Sequence, residues 1–205
     1  SDRSIATSFD GNYIVTWSSA GQDGSGSGIY ARRYDRYGVA QGNEFRVNTT
    51  TANDQVDPAV AIDGVGNFII TWASALQDGS GYGIYAQRYK SDGTPNGGEF
   101  KVNTTTADDQ TSPCIAVGSA GSFVITWTSN SQDGSSSGVY GQRYTALGAA
   151  DGNEFRVNNY TSGAQSDSTV AKNRENGDYI VAWSSAGQDG SGLGIYAQRY
   201  SVTGS

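Results

Sequence analysis

Three observations predict an all-β protein, a small β-propeller with four blades of about 55 residues each, the last blade lacking its outer strand. First, one unit recurs along the chain. Trp17, Trp72, Trp127 and Trp183 lie 55, 55 and 56 residues apart, and Asp23, Asp78, Asp133 and Asp189 keep the same spacing. So do Tyr30, Tyr85, Tyr140 and Tyr196. Second, each unit reads as four short strands punctuated by Gly, Asp and Ser turns. Third, those strands are apolar on both faces, so each sheet needs cover on both sides, which a blade between two blades receives. No stretch carries a helical period of convincing length.

The second unit shows the elements in order. Ala59-Val60-Ala61-Ile62 is a short apolar strand closed by the Asp63-Gly64 turn signal. Asn67-Phe68-Ile69-Ile70-Thr71-Trp72 is the next, rich in β-branched and aromatic residues. Phe68, Ile70 and Trp72 point one way, Ile69 and Thr71 the other. A polar, glycine-rich loop from Ala73 to Gly83 leads to the third strand, Ile84-Tyr85-Ala86-Gln87-Arg88-Tyr89. Beyond the Ser91-Asp92-Gly93 turn, Glu99-Phe100-Lys101-Val102-Asn103 is the fourth. The Thr104 to Gln110 connection then opens the next unit.

Four units sharing one core make residues 1–205 a single domain, with repeats at about 1–57, 58–112, 113–167 and 168–205. The first unit opens just before Ile5-Ala6-Thr7. The last stops at Tyr200-Ser201-Val202, without a counterpart of Glu44-Phe45-Arg46-Val47. In a propeller that strand is outermost, so its loss spares the inner ring. Association of copies into a larger ring, or a longer array of units, fits the same pattern.

Charged residues make up only 16% of the chain, and the net charge is −7. Nucleic acid is therefore excluded as a partner, because neutralising phosphates takes a basic stripe. Histidine is absent, which removes imidazole-based triads and histidine-ligated zinc. Cys114 is alone, so there is neither an internal disulfide nor a cysteine metal cluster. No apolar run reaches the roughly 18 residues of a membrane span. With no methionine even at position 1, the chain reads as a processed product or excised segment of a secreted or cell-surface protein.

The most constant segment is the loop between second and third strands. It reads Gln22-Asp23-Gly24-Ser25, Gln77-Asp78-Gly79-Ser80, Gln132-Asp133-Gly134-Ser135 and Gln188-Asp189-Gly190-Ser191. Glycines let the backbone curl so that carbonyls and a carboxylate converge, an arrangement suited to calcium. The alternative is that each Asp caps its own loop. Gln22, Asp23, Gln77, Asp78, Gln132, Asp133, Gln188 and Asp189 are thus the candidate ligand-binding residues, and the four Asp the candidate calcium ligands. The Trp residues read as core, since each stands in an apolar strand. The Tyr pairs (Tyr85 with Tyr89, and their counterparts) read as core or rim. Arg33, Arg88, Arg143 and Arg199 are expected to pair with Glu44, Glu99 and Glu154 across adjacent strands, leaving Arg199 freer. Asn48-Thr49-Thr50, Asn103-Thr104-Thr105 and Asn159-Tyr160-Thr161 match the glycosylation pattern and read as turn formers or strand terminators. Gln55, Gln110 and Gln165 either tie down the connections or meet a sugar hydroxyl.

Phe68-Ile-Ile-Thr-Trp72, Gln77-Asp-Gly-Ser-Gly81, Ile84-Tyr-Ala-Gln-Arg-Tyr89 and Glu99-Phe-Lys-Val-Asn-Thr-Thr-Thr106 together resemble repeats of large secreted bacterial proteins, of the RTX-like, hemolysin-type calcium-binding or adhesin-like kinds. The resemblance covers essentially the whole chain. It implies an extracellular setting and an association with calcium, and no reaction. The Gly-Gly-x-Gly-x-Asp nonapeptide of true RTX segments is absent. A Ser-x-Asp-x-Gly-x-x-Trp box of the sialidase kind is absent as well.

Catalysis generally requires one asymmetric set of unlike groups, whereas repeats offer several copies of one site. The expected function is therefore a non-catalytic, multivalent, lectin-like adhesion module binding cell-surface or matrix glycans, assisted by calcium. The alternative is a calcium-stabilised structural or protein-interaction module of a large secreted protein. An enzyme would draw instead on carboxylates that break the repeat: Asp35, Asp57, Asp63, Asp151, Asp167, Glu175 and Asp178.

Overall fold

The computed structural model describes residues 3–204, and among them there is no helix. Fifteen strands form four antiparallel sheets. The first sheet holds β1 (Arg3–Thr7), β2 (Tyr13–Ala20), β3 (Ser27–Tyr34) and β4 (Phe45–Arg46) in that order. The second holds β5 (Gln55–Ile62), β6 (Phe68–Ala75), β7 (Tyr82–Tyr89) and β8 (Phe100–Lys101). The third repeats this with β9 (Gln110–Val117), β10 (Phe123–Asn130), β11 (Ser137–Tyr144) and β12 (Phe155–Arg156). The fourth has only β13 (Gln165–Lys172), β14 (Tyr179–Ala186) and β15 (Leu193–Tyr200).

Two strand limits differ from the sequence reading. The outer strand is two residues long, Phe100–Lys101, not Glu99 to Asn103. Asn103 is drawn inward as a buried hydrogen-bonding residue, which ends the ladder. The first strand is longer than expected because it absorbs an irregularity. In β5, β9 and β13 the register shifts so that two residues oppose one tryptophan: Trp72, Trp127 or Trp183. One bulge residue in each, Asp57, Ser112 and Asp167, takes a left-handed φ of 53°, 52° and 55°. The three opposing indole Nε1 atoms are buried and have no hydrogen-bond partner.

The alternation of side chains decides how the sheets stack. Ile14, Ile29, Ala31 and Val47 of the first sheet pack on Val60, Ile62, Phe68, Ile70 and Trp72 of the second. The opposite face of the second, with Ile69, Ala73, Ile84 and Val102, packs on Ile115, Phe123, Ile125 and Trp127 of the third. The third meets the fourth through Val124, Val139 and Val157 against Val170, Val181 and Trp183. Ring pairs repeat with the sheets: Phe68–Tyr89, Phe123–Tyr144 and Tyr179–Tyr200 stack at 4.9, 4.7 and 4.8 Å. The tryptophans and tyrosine pairs of the second and third sheets are thus core, whereas Trp17, Tyr34 and Tyr196 of the outer sheets are half-buried.

The architecture is a propeller-like series of sheets, first on second, second on third, third on fourth. The outward faces of the first and fourth sheets stay open to solvent at Ile5 and Ile195, so face packing does not close the expected four-membered ring. The hairpin turns joining the first two strands of each sheet do meet one another. The Ser119 hydroxyl donates to the Arg174 carbonyl, and the Arg174 guanidinium lies over the Phe9 ring at 4.4 Å. One end of the sheet stack carries these turns, and the opposite end carries the glycine-rich loops.

Candidate functional site

At the glycine-rich end the repeated Asp residues act as loop caps. Asp78 Oδ1 accepts from the Ser80 amide at 3.4 Å, and its Oδ2 accepts from Asn103 Nδ2 at 3.2 Å. Asp23 and Asp133 do the same with Ser25 and Asn48, and with Ser135 and Asn158. Asp189 accepts from the Ser191 amide. A Cβ at Gly83 would lie 2.5 Å from Asp78 Oδ2, so glycine is required for the carboxylate to fold back over the loop. The Asp residues are distributed one per sheet. No group of three His, Cys, Asp or Glu side chains gathers as a metal cluster among the described residues.

The neighbouring glutamines are engaged too. Gln22, Gln77 and Gln132 donate to Glu44, Glu99 and Glu154 at 2.6, 2.7 and 2.6 Å. The fourth unit has no such Glu, and there Gln188 Oε1 is buried without a partner. Glu99 and Glu154 also accept from the amide and hydroxyl of Thr49 and Thr104 on the preceding sheet. The expected Arg–Glu pairing is therefore corrected. Arg33 and Arg88 instead reach the next sheet, donating to the carbonyls of Ser91 at 2.7 Å and Ala146 at 3.2 Å. Arg199 is not freer: it forms a 2.8 Å ion pair with Asp178. Gln55, Gln110 and Gln165, fully buried, tie down the connections by donating to the carbonyls of Ala52, Ala107 and Ser162. Of the three Asn-Thr runs, Asn48 and Asn103 are buried in the folded chain, whereas Asn159 is exposed.

The opposite end has grooves between successive sheets, and these are unequal. The groove between the first and second sheets encloses 530 Å³; the one between the second and third encloses 230 Å³. Between the third and fourth, Lys172 occupies the row held by Ile62 and Val117, with Nζ 5.5 Å from the Tyr179 ring. Burial, then the neighbouring Arg143, pushes the Lys172 ammonium below its usual range.

The groove between the first and second sheets has an apolar floor of Ile14, Ile62 and Phe68, and a wall formed by the Tyr13–Tyr34 stack with rings 5.0 Å apart. Asp10, Asp35 and Asp92 line it together with Arg33. A hydrogen bond from the Ser8 hydroxyl holds Asp10 below the usual carboxylate range. Bonds from the hydroxyl and amide of Thr94 do the same for Asp92. Asp35 Oδ1 accepts from the amides of Tyr37 and Val39, both at 2.9 Å. Asp63, at the edge of the smaller groove, is buried and accepts from the Val65 and Asn67 amides and from Asn67 Nδ2. Ionised carboxylates beside stacked aromatics can hydrogen-bond sugar hydroxyls while a ring face packs on the tyrosines, and can stabilise developing positive charge.

The sequence reading and this groove overlap only in part. Asp35 is among the departures from the repeat named above and lines the groove. Asp10 and Asp92 were missed: at the Asp92 position the first and third units have Tyr37 and Leu147, so no pattern singles it out. The eight loop residues, Gln22 to Asp189, lie at the far end and contribute nothing to the groove.

No family model matches the chain, and no curated protein is significantly similar to it. Solved structures share its fold. An endo-arabinase from Bacteroides thetaiotaomicron is 17% identical with a TM-score of 0.52, covering 93% of this chain and 71% of its own. A protein of unknown function from Dyadobacter fermentans gives a TM-score of 0.68 at 9% identity, over 98% of this chain and 65% of the other. The α-L-arabinofuranosidase Arb93A of Fusarium graminearum, in complex with an iminosugar inhibitor, gives 0.65 at 15% identity. That match covers 98% of this chain and 62% of the fungal one, so this chain spans under two thirds of the two most similar folds described. These likenesses correct the expectation of a non-catalytic, lectin-like adhesion module: the named functions among them are glycoside-cleaving enzymes. The units are not equivalent at the turn end. Two grooves of unequal size lie there, and Lys172 stands in the row between the third and fourth sheets.

Proposed function

We propose that this chain acts as a glycoside hydrolase on arabinose-containing glycans, with the groove between the first and second sheets as its site. The observation that carries this reading is the asymmetry of the grooves. One alone combines 530 Å³ of space, a stacked tyrosine wall and two carboxylates whose hydrogen bonds keep them ionised. That volume lies within the range of small-molecule sites. The fold that solved arabinan-cleaving enzymes use adds support.

Glycoside hydrolysis needs a proton donor and an ionised carboxylate flanking the scissile bond. Asp10 and Asp92 suit the ionised role, as base, nucleophile or stabiliser of the oxocarbenium-like charge. The Tyr13–Tyr34 wall would hold the sugar face, and Arg33 a ring hydroxyl. The proton donor is unassigned. In this reading the four sheets are propeller blades. Secretion, membership of RTX-like repeat arrays and calcium at the Asp23, Asp78, Asp133 and Asp189 loops are separate proposals; a chelator-dependent melting temperature tests the last.

The test is release of reducing ends from arabinan and of nitrophenol from an arabinofuranoside, by the parent and by Asp10→Asn, Asp35→Asn and Asp92→Asn variants. Loss of a catalytic carboxylate should lower turnover by about 100-fold or more. No turnover by the folded parent on these and a broad glycan panel overturns the proposal.

A further inference from the structure

The two grooves at the turn end are copies of one design. Each residue lining the groove between the second and third sheets stands one repeat on from a residue lining the groove between the first and second. The apolar floor is kept, with Phe68, Ile69 and Phe123 in place of Tyr13, Ile14 and Phe68. The carboxylates are not kept. Val65, Lys90 and Leu147 stand at the positions of Asp10, Asp35 and Asp92. Asp63 is no replacement, since it is buried and already accepts from the Val65 and Asn67 amides and from Asn67 Nδ2. The donors, by contrast, are freer in this second groove. Arg33 uses both Nη atoms, on the Ser91 and Gln41 carbonyls, whereas Arg88 donates through Nη1 alone, to the Ala146 carbonyl. Gln41 Nε2 is engaged by Asp35 and Val39. Its counterpart Asn96 donates through its backbone amide to the Arg88 carbonyl, and its side chain makes no hydrogen bond among the described residues.

We propose that the second groove is a binding-only subsite for the glycan chain whose scissile bond lies in the first, an inference that rests on the hydrolase reading above. The two grooves are continuous, because Val65 and Phe68 line both. Val65 stands on the turn between them and is 74% exposed, so the chain crosses there with a sugar face on the isopropyl group. Beyond it, the Asn96 amide and Arg88 Nη2 donate to the hydroxyls of a further sugar residue. The volume of 230 Å³ falls below the roughly 300 Å³ at which free-standing small-molecule sites begin, which suits part of a ligand and not a whole one. Without a free carboxylate this groove holds sugar and cannot cleave it. Contacts remote from the reacting bond add to transition-state binding, so longer chains are the better substrates.

Hydrolysis of a nitrophenyl arabinofuranoside, and of arabinan oligosaccharides of increasing length, tests it with the parent and with Asn96→Leu and Ala146→Leu variants. Both positions are at least partly exposed and line the second groove only, so the added apolar bulk fills it and spares the carboxylates of the first. For the parent, kcat/KM should rise with chain length. Each variant should keep the parent's Tm and its rate on the aryl glycoside. On the longer chains its kcat/KM should fall by about 3–10-fold, the equivalent of one hydrogen bond. Parent rates independent of length, variants that keep the full length dependence, or variants that slow the aryl glycoside equally overturn the subsite and leave the hydrolase reading standing. Cleavage of neither substrate by the folded parent overturns that reading itself, and the subsite with it.

Discussion

Truncating Asn103 to alanine tests the claim that the sheets are pinned by buried polar residues at the glycine-rich end. Asn103 Oδ1 accepts from the Ile84 amide at 2.7 Å. Its Nδ2 donates to the Thr105 carbonyl at 2.7 Å, Gln110 Oε1 at 3.0 Å and Asp78 Oδ2 at 3.2 Å. Ile84 and Gln110 are 0% exposed, so water cannot replace what is lost. An orphaned buried polar group costs about 1–3 kcal/mol. The Ile84 amide loses its acceptor and Gln110 Oε1 its donor, while Gln110 Nε2 keeps its bonds to the Ala107 and Asp108 carbonyls. The sum is about 3–4 kcal/mol, equivalent to about 6–16 °C in Tm for a chain of this size. Urea unfolding and thermal melting followed by circular dichroism read it directly. Asn48→Ala should match it, since Asn48 makes the equivalent bonds to Ile29, Thr50 and Gln55. Thr104→Ala, which removes one exposed bond to Glu154, should cost under about 1 kcal/mol. If Asn103→Ala is no worse than Thr104→Ala, the reasoning is refuted.

Gly81→Ala should destabilise by about 2 kcal/mol or more, because φ is +41° and the new Cβ would lie 2.7 Å from the Asp108 backbone carbonyl; chemical denaturation measures it. Lys172→Ile restores the apolar row of Ile62 and Val117 and should stabilise by about 1 kcal/mol, a rise of about 2–4 °C in Tm. Burial, reinforced by Asp78 and Glu99, pushes the Tyr85 phenol up to about 12, and burial, reinforced by Tyr179, does the same for Tyr200. Since the folded values are raised, their contribution to stability is complete below pH 10 and lost as pH climbs through about 12. Ultraviolet titration of phenolate should therefore show these two ionising late and together with cooperative alkaline unfolding.

Strand identity and sheet composition were legible because period-two alternation and turn residues are local signals. Phe68, Ile70 and Trp72 face one way in the structure as they do in the sequence. Pairing between sheets was not legible. Arg33 and the Ser91 carbonyl are 58 residues apart and meet only through sheet stacking, so the local Arg–Glu pairing looked better on paper than it is. The constant Gln-Asp-Gly-Ser loops were legible as a repeated element, and in the structure Asp78 and Gln77 are held by the same bonds as their counterparts in the first and third units. The groove was hidden for the opposite reason. Asp10 and Asp92 stand where the repeat varies, and variation alone does not separate a functional residue from a solvated turn. Ring closure depends on the angle between sheets, which no residue pattern encodes.

The unpartnered indoles make the chain its own optical gauge. Trp72, Trp127 and Trp183 sit in dry surroundings with bare Nε1 atoms, whereas Trp17 is partly wet on the open face of the first sheet. Dry indoles emit at shorter wavelength than wet ones, so the emission of the intact protein is a blue band with a redder shoulder from one residue. Prying a sheet loose would shift one tryptophan at a time. Covering the first sheet would erase the shoulder with no change in the rest of the spectrum.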